Sequence, residues 1–259
     1  MQDYSSIVIP IVREVGKEIL PYFGIAPVTH QKTESAIDVV TELDTKAELA
    51  LKKRLGEAFP NISFMGEEFG GEKSSRMWLC DPIDGTGNFV RGLPFATTML
   101  ALIEDGQVIF SAIYDFVRDD MYSASRGGGA WKNGKRTHVS TRSLRESYLS
   151  FETNMLDSDN YEKYCNVRNM KASSISTLNA GYEFAMVASG KLDGRIGLNP
   201  YGKDWDYAPG SLLVSEAGGV VTNIGKSSYD YTNHDLLAVN PLVYKELTVG
   251  MDAPFPLIK

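Results

Sequence analysis

The chain has 259 residues, 33 Asp or Glu against 26 Lys or Arg, and a formal charge of −7. That length suits one large globular domain or two modest ones, and 43% hydrophobic with 23% charged residues is too apolar for a disordered chain. The acidic balance argues against nucleic acid or an anionic membrane as the main partner, because both select clustered Lys and Arg.

Along the chain, Ile7, Ile11, Val15, Ile19 and Phe23 recur four apart and predict an amphipathic helix over residues 7–23, with Pro10 bending its first turns. Arg13, Glu14, Lys17 and Glu18 interrupt this segment, so it does not read as a signal peptide. A second helix is predicted from about Thr45 to Ala58, with Ala47, Leu51 and Leu55 on one face. Strands follow at Ile62–Met65 and Met77–Cys80. The most apolar stretch, Leu93–Ile103, is far short of the ~20 residues that span a bilayer. Two hairpins are expected, one turning at Asp105-Gly106 and one at Asn133-Gly134, with a tight loop at Gly127-Gly128-Gly129.

The second half alternates strands (Tyr148–Phe151, Leu192–Leu198, Val220–Thr222, Leu236–Val239) with helices (Tyr161–Asn169, Leu178–Ser189, Asp206–Ala217), so helices should pack on a sheet. The expectation is two halves, residues 1–140 and 141–259, in one compact body. Cys80 and Cys165 form no metal or redox motif and read as free thiols of a cytoplasmic protein. His30, His138 and His234 read as surface or loop residues.

Three acidic clusters stand at element ends: Gly66-Glu67-Glu68, Asp81-Pro82-Ile83-Asp84-Gly85-Thr86 and Asp204-Trp205-Asp206. An isolated acid at such a place is usually a turn residue or a helix cap. Three clusters together call for a cation, and hard oxygen donors suit Mg²⁺. Pro82 should turn the chain sharply after its strand, so that Asp81 and Asp84 converge. Asp84-Gly85-Thr86 then opens a short helix whose N–H groups suit a phosphate. Cation and phosphate sites side by side are what metal-assisted phosphate hydrolysis requires.

On these residues the sequence resembles the inositol monophosphatase family of Mg²⁺-dependent, lithium-sensitive phosphatases. Gly66-Glu67-Glu68, Trp78 to Phe89, Trp205 to Gly210 running on to Glu216-Ala217-Gly218-Gly219, and Asp38 to Asp44 are similar to family blocks, in the same order. The resemblance implies the layered α/β (α+β) sandwich of inositol monophosphatase and fructose-1,6-bisphosphatase, with an antiparallel first sheet, a mixed second sheet, and helices between and outside. It implies two to three Mg²⁺. Glu67, Asp81 and the Ile83 carbonyl would hold the first, Asp81, Asp84 and Asp206 the second, and Glu67 with waters a looser third, with Glu68 nearby. Thr86, hydrogen-bonded to Asp44, would orient and help deprotonate the attacking water, and the Gly85 and Thr86 amides would hold phosphate. Asp84, Ala180 and Asn199 would face the substrate, a small phosphorylated metabolite, and the protein would be a homodimer.

The sequence departs from the family's animal enzymes at Gly87, at Pro209, at Leu178-Asn179-Ala180-Gly181 (commonly Gly-Ser-Ala-Ala), and at Asn199 in place of a substrate-binding glutamate. These changes leave the proposed ligands intact and put inositol specificity in question. Inositol monophosphate comes first as substrate, ahead of fructose 1,6-bisphosphate, histidinol phosphate or 3′-phosphoadenosine 5′-phosphate. Arg195 and Lys203 could serve a second phosphate, though such residues are more often solvated surface charges. The reading from a different class is a non-catalytic, metal- or phosphate-responsive binding protein.

Overall fold

A computed structural model describes residues 3–31 and 39–258. Asp38, which begins one of the family-like blocks, lies outside the described residues, as does the side chain of His30.

Helix α1 (Ser5–Ile19) runs through Pro10, but its buried stripe is Val8, Val12, Val15 and Ile19. Ile7 is exposed, Ile11 and Phe23 are half-buried, and Phe23 lies beyond the helix. A strict four-residue spacing drifts about 40° per step around a helix of about 3.6 residues per turn, so the expected stripe could not stay on one face. The 4-3-4 spacing of the observed stripe follows the helical period. Strands β1 (His30–Gln31) and β2 (Val39–Val40) form an antiparallel pair. Helix α2 spans Glu42–Ala58 and starts earlier than its apolar pattern, because Thr41 caps it and Asp44 completes a capping box.

Seven strands build the first sheet in sequence order: β3 (Ser63–Gly66), β4 (Arg76–Asp84), β5 (Thr97–Glu104), β6 (Gln107–Asp115), β7 (Asp120–Ser125), β8 (Gly129–Lys132) and β9 (Lys135–Arg136). Both expected hairpins form, and Asp105, Gly106, Asn133 and Gly134 all take positive φ. The sheet is mixed rather than antiparallel, because β3 runs parallel to β4. That pairing brings the acidic residues after β3 beside those of β4. Between β4 and β5 lies the short helix α3 (Thr86–Arg91).

The second sheet has the order β11-β10-β12-β14-β13, from β10 (Tyr148–Thr153), β11 (Ser173–Ile175), β12 (Gly194–Leu198), β13 (Val220–Asn223) and β14 (Leu236–Val239). It is mixed, with β10 parallel to both β11 and β12. Helices α4 (Ser158–Asn169), α5 (Ala180–Ala188), α6 (Asp204–Glu216) and α7 (Pro241–Thr248) complete the chain. The edge strand β11 and helix α7 are not among the elements expected above.

Three apolar cores define the layers. Residues of α1 and α2 pack on one face of the first sheet. Helices α5 and α6 fill the space between its other face and the second sheet. Val167 of α4 with Val243 and Leu247 of α7 cover the far side of that second sheet. The order is helix, sheet, helix, sheet, helix, and α5 and α6 carry their N-termini to the edge of the first sheet where β4 ends. Among the described residues, no helix is long and apolar enough to cross a membrane. Cys80 is buried and Cys165 half-buried, and both are free thiols.

Candidate active site

The strand β4 does not stop at Cys80 but continues through Pro82 to Asp84. Asp81 pairs with Met99 and Asp84 with Thr97, so β4 spends one extra residue there. Proline offers no N–H to the ladder, and the strand accommodates it as a bulge. It is this bulge, rather than a turn after the strand, that turns Asp81 and Asp84 toward one point. Carboxylate oxygens of Asp81, Asp84 and Asp206 lie within 4.8 Å of one another.

Each of the three is fixed from behind. Asp81 accepts the Ile83 amide at 3.0 Å. Asp206, in the first turn of α6, accepts the Lys203 amide at 2.6 Å. The Asp84 carboxylate accepts the Gly181 amide at 2.5 Å, the Ala180 amide at 3.3 Å and the Thr97 hydroxyl at 3.0 Å. A side chain at Gly181 would collide with Thr97 and approach Asp84 within 3.0 Å, so the close approach of α5 to this carboxylate requires glycine. Burial nevertheless drives all three up: Asp84 to about 7, Asp81 and Asp206 well above the usual carboxylate range, the last two also through neighbouring carboxylates. Asp204, grouped with Asp206 in the sequence, faces away and bonds His234 at 2.9 Å and Lys73 at 3.2 Å. His138 is exposed.

Thr86 opens α3, and its hydroxyl sits 2.7 Å from Asp44 Oδ1 and 2.9 Å from the Ile83 carbonyl. Asp44 Oδ2 accepts the amide and hydroxyl of Thr41 at 2.8 and 2.6 Å. The helix cap and the Thr86 contact are thus made by the two oxygens of one buried carboxylate. Gly85 takes φ of +82°, and a Cβ there would meet Asn179 and the Phe95 carbonyl. Glycine is required for the turn that presents the Gly85 and Thr86 amides.

Glu67 follows β3, its amide bonded to the Cys80 carbonyl at 3.1 Å and its side chain hydrogen-bonded to Asp81. The loop carrying Glu67 and Glu68 rests on Glu48, a fully buried glutamate of α2, which accepts the amides of Glu68 and Phe69 at 2.7 and 3.0 Å. Burial raises the Glu48 carboxyl above its usual range. Sequence reasoning passed over Glu48, although a glutamate on the apolar face of α2 was a visible anomaly.

Beside this cluster opens a cavity of about 470 Å³, whose wall includes Asp84, Asp206, Ala180 and Leu178. Helix α5 begins at Ala180, not Leu178, because Leu178 takes φ of +55° and Asn179 caps the helix at the Tyr182 amide. Leu178 is exposed at the cavity mouth. Asn199 is exposed, with its amide on Asp235, and the wall on that side is made by Tyr201 and Gly202. Arg195 is no surface charge. It is buried, with its guanidinium bound to Glu183 and Glu152, neither of which the sequence singled out.

The chain matches the sequence profile of the inositol monophosphatase family over residues 1–251. The chain belongs to the inositol monophosphatase family. It is 32% identical to the Nus factor SuhB of Pseudomonas aeruginosa, with 99% of this chain and 98% of that protein aligned. It is also 32% identical to the fructose-1,6-bisphosphatase/inositol-1-monophosphatase of Thermotoga maritima, over 92% of each. The solved structure of a Thermotoga maritima IMPase superposes with a TM-score of 0.85 at 29% identity, covering 95% of both chains. As a member of the inositol monophosphatase family, the protein is a phosphoric monoester hydrolase of a metal-dependent kind.

The residues present fit the family's metal. The convergent donors are all carboxylate oxygens, with the Ile83 carbonyl adjacent, and hard divalent cations select such a set. Three carboxylates at this spacing, two of them buried and Asp206 half-buried, cannot all ionise unless a cation offsets their repulsion.

Proposed function

We propose that this chain hydrolyses the phosphate monoester of a small polyol or sugar, inositol monophosphate first among them, with Mg²⁺ and with water as the attacking group. The observation that carries this reading is the Thr86–Asp44 hydrogen bond beside the Asp81, Asp84 and Asp206 cluster. Glu67, Asp81 and the Ile83 carbonyl would hold one Mg²⁺, Asp81, Asp84 and Asp206 a second, and Glu67 a third. Bound there, such ions lower the pKa of water from ~15.7 towards neutrality and offset the charge of the phosphate.

The chain's own residues do the rest. Thr86 donates its hydrogen to Asp44, which leaves the Thr86 oxygen lone pairs to accept from water and aim it at phosphorus. The proton that the water gives up passes to the Thr86 oxygen as the Thr86 hydrogen moves to Asp44, the final proton acceptor of the pair. The Gly85 and Thr86 amides hold the phosphate oxygens, and the leaving alcohol departs into the cavity. No side chain needs to become phosphorylated.

The test is phosphate release with Mg²⁺ from inositol monophosphate, histidinol phosphate, fructose 1,6-bisphosphate and adenosine 3′,5′-bisphosphate. Release is expected, fastest from inositol monophosphate. Silence on every ester would overturn the reading.

A further inference from the structure

We infer that the leaving-group cavity selects an uncharged ring presenting an apolar face, and that it is closed to a second phosphate. The inference rests on the phosphatase reading above and narrows its substrate class.

The first observation is how the cavity's arginine is used. Both guanidinium ends of Arg195 are bound, one to Glu183 and one to Glu152, and the group is buried over the rings of Phe184 and Tyr207. The glutamates are engaged in turn. Glu152 accepts the amides of Tyr201 and Gly202 at 3.0 and 3.1 Å, and Glu183 accepts the amide and hydroxyl of Thr177 at 2.7 and 3.0 Å. Arg195 is therefore a strut between the loop before α5 and the loop before α6. The trio carries a net charge of −1. Lys203 is exposed and does not line the cavity, and among the described residues no other Lys or Arg does. A second phosphate would stand against two carboxylates whose cation is already shared. Rejection of a competitor by unmatched charge is a usual route to specificity.

The second observation is the mouth of the cavity. Leu178, Met155 and Tyr201 line it with 63%, 42% and 70% of their surfaces exposed. Leu178 is held at φ of +55°, a conformation that disfavours a leucine. Asn88 secures it by donating to the Thr177 carbonyl at 2.9 Å and to the Leu178 carbonyl at 3.4 Å. Backbone that would suit glycine instead presents an isobutyl group at the cavity that Tyr201 also lines. Such surfaces cover the C–H face of a cyclitol or the face of an aromatic ring, and leave an open-chain alcohol largely in water.

The experiment compares kcat/KM of wild type, Leu178→Gly and Tyr201→Ala on inositol 1-phosphate, benzyl phosphate, glycerol 2-phosphate and fructose 1,6-bisphosphate. In wild type the two ring monoesters should exceed the other two esters by about tenfold or more. Each variant should lose about tenfold on the ring monoesters through KM, with glycerol 2-phosphate unchanged. Leu178→Gly should melt no lower than wild type, because glycine relieves the positive φ. Turnover of fructose 1,6-bisphosphate equal to the ring monoesters, or equal losses on every ester in both variants, would overturn the inference while leaving the phosphatase reading intact. Absence of release from all four would overturn both.

Discussion

The hydroxyl of Thr86 lies 2.7 Å from Oδ1 of Asp44, a contact between residues 42 apart in the chain. It joins the first turn of α2 to the first turn of α3, and the other oxygen of Asp44 is already committed to Thr41. Asp44 is therefore held in place to accept from the hydroxyl. Thr86→Val keeps the shape and removes the hydrogen bond. It should lower kcat by about 10² to 10⁴, with KM near wild type. Asp44→Asn should do the same, and wild-type turnover in either variant would contradict the proposed role.

Removal of divalent cations with a chelator should abolish phosphate release, and Mg²⁺ should restore it. Ca²⁺ and Li⁺ should both inhibit in the presence of Mg²⁺. Ca²⁺ takes more ligands at longer distances, and Li⁺ carries half the charge at a site built from carboxylates. Titrations of initial rate against each ion are the check.

The metal-free protein should have a characteristic pH dependence. Burial pushes the Asp84 carboxyl up to about 7 in the folded chain, against ~3.9 in an unfolded one. The folded state thus binds more protons between these values, and stability falls as pH rises through that window. Asp84→Asn removes this contribution. Its melting temperature without metal should gain on wild type as pH rises from about 4 to about 8. Excess Mg²⁺ should narrow the difference at the upper end, and a constant offset across the range would count against the burial argument.

Arg195→Leu should destabilise by about 3–5 kcal/mol, because it leaves the buried Glu183, with the half-buried Glu152, without its cation. Chemical denaturation measures this directly. A loss below about 1 kcal/mol would mean the trio behaves like an exposed pair.

Glu48→Gln keeps the volume but opposes an amide N–H to one of the backbone N–H groups that Glu48 now accepts. The loop bearing Glu67 should loosen, and Mg²⁺ should bind about tenfold more weakly by calorimetry. At saturating Mg²⁺, kcat should recover most of its value.

Much of this protein is legible in its sequence, for local reasons. The Asp-Gly and Asn-Gly turns, the apolar face of α2 and the acidic motifs each depend on residues within a few positions of one another. The proposed ligands Glu67, Asp81, Asp84 and Asp206 stand out in the sequence as acids near element ends, although Asp81 lies within β4 and Asp206 in the first turn of α6. Tertiary structure decided what those acids and their neighbours do. The bulge at Pro82, the parallel pairing of β3 with β4, and the docking of α5 on Asp84 converge the charges. Burial, not composition, pushes their pKa values up. Glu48, Glu152 and Glu183 add to the acidic surplus yet serve as internal acceptors for backbone and for Arg195. A formal charge of −7 treats all these carboxylates alike. Only packing separates solvated ones from those that must find a proton, an arginine or a metal, because desolvation depends on neighbours distant in the chain.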